Sequence, residues 1–122
     1  MTAVLPILAG VLFTAGTYLI LQRALSRILV GLALIAHGAN LLLLSAGGRA
    51  GDPPFVGPDG VPAGAADPLP QALVLTAIVI TFSVTAFLAA LAYRAHRLTG
   101  SDAVEDDVED RRIARERLED TA

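Results

Sequence analysis

The sequence predicts an all-α membrane protein of three transmembrane helices, with its N-terminus outside and its C-terminus in the cytoplasm. Three observations predict it. Residues 3–22, 28–48 and 68–93 contain no Asp, Glu, Lys or Arg, and crossing a hydrocarbon core takes roughly 20 residues. Of the 122 residues 54% are hydrophobic and only 17% charged, too apolar for an ordinary soluble domain. The charges are also segregated, since nine of the twelve acids lie between Asp102 and Asp120. Three buried helices of a soluble bundle would need polar faces, which these windows lack.

The expected spans are about 3–22, 28–46 and 69–93, within a membrane part covering residues 1–101. The first window is distinguished from a secretory signal by its flanks. A signal peptide carries positive charge before its apolar core, whereas Arg23 and Arg27 come after this one. It is therefore read as a retained span. The following "RALSR" is short enough only for a tight antiparallel hairpin into the second span.

Residues 47–68 are dense in Gly and Pro with little to bury, and are expected to form an irregular external loop, ordered where a partner covers it. Its end is more informative. Asp67 precedes a proline and is pushed toward extended backbone, which suits a helix N-cap. Pro68 and Pro70 then fall in a first turn whose N–H groups would be unpaired anyway. Gln71 lies just inside, facing the outer water layer or a neighbour.

Orientation follows from the arginines. Arg23 and Arg27 sit in the first turn, and Arg94 and Arg97 follow the third span. The long loop sets Arg49 against Asp52, Asp59 and Asp67. The positive-inside bias puts the turn and the C-terminus in the cytoplasm. The tail, 102–122, pairs Asp107 with Arg111 and Arg115 with Glu119 at i,i+4, which permits a short helix. Its four branched aliphatics cannot sustain a core, so a solvated, partly disordered acidic tail is expected.

Composition excludes several classes of function. With no cysteine, disulfides and thiolate metal sites are out. The two histidines are not at ligand spacing, so no metal and no cofactor is expected. Residues 1–101 carry five arginines against three aspartates, too few to track nucleic acid. No nucleophile–base pair can be assembled, so no catalytic residue and no enzyme activity is expected. The spans also hold no carboxylate, which argues against a rotor-ring or small multidrug exporter component.

Helices in lipid pack where small residues let backbones approach. Ala77, Thr81, Thr85 and Ala89 recur every four residues in the third span, Gly31 and Gly38 lie seven apart in the second, and Gly10 and Thr14 serve the first. Hydroxyls such as Thr76, Thr81, Ser83 and Thr85 can each bond a carbonyl of their own helix. Two readings stand: helix packing, or a polar lining for protons or water. His37 is the sharper case, at the midpoint of the second window with Asn40 three residues on. A polar side chain at that depth faces protein or a hydrated cavity. It either fixes packing as a neutral hydrogen-bonding group or relays protons. Three helices are too few to surround both residues and enclose a pathway, which implies partner chains.

Two stretches, "GTYLILQRALSRILVGLALIAHGANLLLLSAGG" and "DPLPQALVLTAIVITFSVTAFLAALAYR", resemble the MnhC (or MrpC) component of Mrp-type multisubunit Na+/H+ antiporters. That family is similar to the small three-helix NuoK component of respiratory complex I. The resemblance implies a non-catalytic, multi-pass subunit of the bacterial cell membrane, in a hetero-oligomer with large antiporter-like subunits that exchanges protons against sodium or other monovalent cations. NuoK has glutamates in its second and third helices. At the most similar positions this chain has Ala33 and the stretch Thr81–Ser83. The departure implies a spacer and partial wall of a path, using waters held by hydroxyls and His37 or acids on neighbours. The alternatives are a purely structural assembly subunit and a self-assembling, holin-like membrane protein.

Overall fold

The computed structural model describes residues 3–105 and 107–120. The expected membrane part and tail also take in residues 1, 2, 106, 121 and 122, which lie outside the described residues. The described chain forms α1 (Val4–Ile20), α2 (Leu25–Ala46), α3 (Pro68–Thr99) and α4 (Val108–Asp120), joined by irregular segments. At about 1.5 Å per residue, the 17, 22 and 32 residues of α1, α2 and α3 span about 26, 33 and 48 Å. By length and composition α2 and α3 can each cross a membrane, and α1 is a shorter apolar helix.

Helix ends depart from the charge-free windows for identifiable reasons. Asp67 adopts extended backbone and its Oδ1 accepts from the Leu69 N–H at 2.9 Å, so α3 starts at Pro68 through the local rule read from sequence. At its other end α3 runs past Tyr93, because Arg94, His96 and Arg97 tolerate a helix well and favour its negative C-terminal pole. It stops at Gly100, whose φ of 71° suits a residue without Cβ, with the Gly100 N–H donating to His96 O at 2.8 Å. α2 begins at Leu25, three residues before the window that excludes Arg27. Its first amides are satisfied by a segment from the far end of the chain. The Leu25 N–H donates to Asp102 O at 2.8 Å and the Ser26 N–H to Asp102 Oδ1 at 3.1 Å.

α2 is the middle helix. It packs along α1 on one side and against α3 on the other, and α1 and α3 make no close backbone approach among the described residues. The interior is correspondingly thin, with Ala9 and Val74 its buried hydrophobic residues. Large side chains point outward instead, Phe82 being 75% and Phe87 64% exposed. A surface this apolar requires lipid or other protein around it. The molecule is a membrane protein.

Residues 47–67 form no helix or extended strand. The neck of this loop is closed by two hydrogen bonds, Asp52 N–H to Gly64 O and Ala66 N–H to Asp52 O, both 2.9 Å. Its tip turns between Gly57 and Gly60, whose N–H groups donate to each other's carbonyls. In the tail, Asp107 Oδ1 accepts from the Glu109 N–H at 3.2 Å and opens α4. Along α4, Arg112 meets Glu116 at 3.0 Å and Glu109 at 3.9 Å. α4 packs against none of the other helices among the described residues.

Candidate functional site

The α1–α2 seam is built on glycine. A Cβ placed on Gly16 would lie 2.6 Å from Ile35 Cγ1 and 2.8 Å from Gly31 O, and one on Gly31 would lie 2.7 Å from Gly16 O. The two backbones touch there, which only paired glycines allow. Farther along, a Cβ placed on Gly38 would lie 3.1 Å from the Phe13 ring and 3.4 Å from Ala9 O. Gly31 and Gly38 therefore lie on the side of α2 that meets α1. Their counterpart on α1 is Gly16, which the sequence reading missed. Gly10, expected in that role, has open space around its Cβ position, and Thr14 is exposed with its hydroxyl donating to Gly10 O at 2.8 Å. The spacing Ala9–Phe13–Gly16, four then three residues, was the available signal, since it draws one helical face.

The α2–α3 seam occupies the opposite side of α2. Near one end a Cβ placed on Gly47 would lie 3.1 Å from Pro70 Cγ. Toward the other, Leu25, Ile28, Leu29 and Leu32 share a crevice with Leu88, Leu91, Ala92 and Ala95. The α3 side of this seam carries Val74, buried, and Ala77, Thr81, Thr85, Leu88 and Ala92, half-buried. Ala89 is exposed. A four-residue step advances about 400° around a helix, so a row drawn every four residues drifts by about 40° per step. By Ala89 it has turned away from α2, and Leu88 and Ala92 continue the contact.

The polar residues divide by side. Asn40 is 9% exposed, and its Nδ2 is buried without a hydrogen-bond partner among the described residues. His37 is exposed. Residues three apart differ by about 60° on a helix, and the edge of the seam passes between these two. Gln71, Thr76 and Ser83 are exposed as well. Thr76 donates to Ala72 O and Ser83 to Val79 O, each at 3.0 Å, so both hydroxyls are spent on their own helix. Thr81 and Thr85 form no such bond among the described residues.

A second cluster joins the segment after α3 to the α1–α2 turn. Asp102 bonds the Ser26 N–H and hydroxyl through its two carboxylate oxygens, and the Val104 N–H donates to Arg23 O at 2.9 Å. The Ser26 hydroxyl and then its backbone N–H hold the Asp102 carboxyl below the usual carboxylate range. Burial opposes them, while the charges of His96 and Arg27 add to the lowering. No spacing rule connects residues 76 apart, so sequence reading could not find this clasp. Among the described residues no group of three or more His, Asp or Glu gathers as a metal site would require.

Comparison with known proteins accords with these features. Residues 4–109 match the family model described as NADH-ubiquinone/plastoquinone oxidoreductase chain 4L. The MnhC-type Na+/H+ antiporter protein of Alkalihalophilus pseudofirmus is 54% identical over 98 residues, covering 80% of this chain and 86% of that protein. Its counterpart in Bacillus subtilis is 45% identical over 103 residues, covering 84% and 89%. Among solved structures, a chain of the Mrp complex from Dietzia sp. aligns with a TM-score of 0.70 at 40% identity, over 87% of this chain and 80% of its own. A chain of the membrane-bound sulfane sulfur reductase, an archaeal respiratory membrane complex, aligns with a TM-score of 0.69 at 37% identity, over 81% and 92%. This chain therefore belongs to the NADH-ubiquinone/plastoquinone oxidoreductase chain 4L family, in its MnhC group of Na+/H+ antiporter subunits.

Proposed function

We propose that the chain is a non-catalytic subunit of a multisubunit antiporter that exchanges protons against sodium or another monovalent cation, packed against large antiporter-like subunits in a bacterial plasma membrane. The observation that carries this reading is the 54% identity to an MnhC-type antiporter protein over 86% of its length. The outward-facing apolar side chains support it physically, because so thin an interior leaves α1, α2 and α3 dependent on surrounding protein and lipid.

In this reading α1, α2 and α3 each cross the bilayer. Arg23, Arg27, Arg94 and Arg97 lie on the cytoplasmic side, and the 47–68 loop lies outside. The chain carries out no reaction of its own. His37, on the exposed side of α2, meets a neighbouring subunit or a hydrated path between subunits. Gln71, Thr76 and Ser83 serve packing or polar lining at those contacts, Thr85 serves the same ends within the α2–α3 seam, and Ala89 meets a partner helix. Because the chain has no cysteine, single cysteines at Ser26 and Asp59 test the topology directly. Label reaching Asp59→Cys only from outside and Ser26→Cys only from inside supports it, and the reverse refutes it.

The role of His37 is tested by His37→Leu in the whole complex. Assembly kept with antiport lost supports a place on the path. Assembly lost supports a packing role. Wild-type behaviour in both refutes either role for this residue.

A further inference from the structure

Asn40 sets an accounting problem. A buried amide N–H₂ with no acceptor is costly, and native interiors rarely leave such a group unpaired. Nδ2 of Asn40 has no protein partner among the described residues, and its exposure is too small for another subunit to reach it. Whatever satisfies it lies inside the α2–α3 seam.

The helical register says what is near. Gly47, two turns on from Asn40 and so on the same side of α2, lies against Pro70 of α3. At the other end of the seam, Leu32 shares its crevice with Leu88. Between these two anchors the antiparallel helices bring Asn40 level with the turn from Ala77 to Thr81. Side chains lean toward the N-terminus of their own helix, so Asn40 and Thr81, on antiparallel helices, lean past each other at the same level. Thr81 is half-buried on the seam side. Unlike Thr76 and Ser83, whose hydroxyls return to their own helix, its hydroxyl has no partner among the described residues. Ala77, one turn away and half-buried on the same side, is a small side chain.

We propose that Asn40 and Thr81 together hold a buried water molecule in the α2–α3 seam. An orphan N–H₂ calls for an acceptor, a threonine hydroxyl can donate or accept, and water supplies both complements. A water needs two to four polar partners to stay in a protein interior, and the carbonyl end of Asn40 offers a third. The same donor set disfavours a metal or sodium ion, which an amide N–H₂ would repel and which no carboxylate here would balance. The site stands whether or not an ion path runs past the subunit, because it follows from the polar groups of this chain alone.

The test is a structure of the purified whole complex at a resolution that shows ordered water. Density within hydrogen-bonding distance of both Asn40 Nδ2 and Thr81 Oγ1 is expected. A direct Asn40–Thr81 bond, or an Asn40 amide bonded to a backbone carbonyl with no density between the helices, overturns the proposal. Heat inactivation of complex integrity gives a second reading. Asn40→Leu and Thr81→Val are each expected to shorten the half-life several-fold. The double variant, which leaves no orphan group, is expected to lose less than the product of the two; losses that simply multiply count against a shared water. Should Asn40→Leu fail to assemble, Thr81→Val in the same structural experiment decides. Weakened water density supports the site, and unchanged density refutes the role of Thr81.

Discussion

Replacing Gly16 by alanine adds one methyl to a place where two backbones already touch. Its Cβ would sit 2.6 Å from Ile35 Cγ1 and 2.8 Å from Gly31 O, and the backbone oxygen cannot yield without moving α2. Reaching ordinary contact, about 3.4 Å or more, requires α1 and α2 to separate by roughly 0.6–0.8 Å along the seam, and overpacking of this kind costs about 1–3 kcal/mol. Gly10 is the internal control, since its Cβ would meet nothing within 4 Å. Both substitutions gain the same helix propensity, about 1 kcal/mol, so that gain cancels when the two are compared. Gly16→Ala should therefore fall below Gly10→Ala by about 1–3 kcal/mol, a factor of roughly 5 to 150 in equilibrium constant. The assay is retention of the protein in the purified complex across a titration with denaturing detergent, reading the midpoint for each variant. Gly31→Ala should behave like Gly16→Ala. Combining those two should cost less than their sum, because the first methyl has already parted the helices. Equal midpoints for Gly16→Ala and Gly10→Ala, or a lower one for Gly10→Ala, would refute a seam held by backbone contact.

The clasp at the α1–α2 turn makes a pH prediction. Its carboxyl is held low by the Ser26 hydroxyl and N–H, so it contributes stability above its unfolded pKa, near 3.9, and loses it as pH falls through the lower folded value. Protection of the Leu25 and Ser26 amides from hydrogen exchange, corrected for intrinsic rates, should stay level from about pH 5 to 8 and decline below about pH 4. Asp102→Ala should abolish the protection of the Ser26 amide at every pH, and protection that persists there in this variant would show that the Asp102 carboxylate is not what caps α2. At the other end of the membrane part, Asp67→Ala should weaken the start of α3 by about 0.5–2 kcal/mol while Asp67→Asn stays near wild type. Exchange of the Leu69 amide reads this, and equal protection in both variants would remove Asp67 as the cap.

Much of the fold was legible because lipid imposes a simple rule. A charge-free stretch of about 20 residues must be helical to satisfy its backbone, and the windows around α1, α2 and α3 announced themselves by composition. Capping is equally local, so Asp67, Pro68 and Pro70 could be read as a helix start from four consecutive residues. Helix ends were less legible. Arg27, Arg94 and Arg97 mark where lipid would stop, whereas the helices stop where a backbone group lacks a partner, as at Gly100.

The candidate site was legible by residue type and not by direction. His37 and Asn40 stand out in any reading as polar groups in an apolar span, but a difference of about 60° on the helix puts one outside and the other inside the seam. The small-residue row from Ala77 to Ala89 similarly leaves the seam because 3.6 does not divide four evenly.

Taken alone, the sequence determined that this protein lives in a membrane, how its third helix begins and which family it resembles, because composition and short-range spacing carry that information. Only the tertiary structure decided that Gly16 and not Gly10 meets Gly31, that Asp102 closes the first turn of α2, and that the buried amide of Asn40 finds no partner among the described residues. Each of those depends on the rotation of one helix against another or on residues far apart in the chain. Such relations are set by packing the whole molecule, and no window of neighbouring residues contains them.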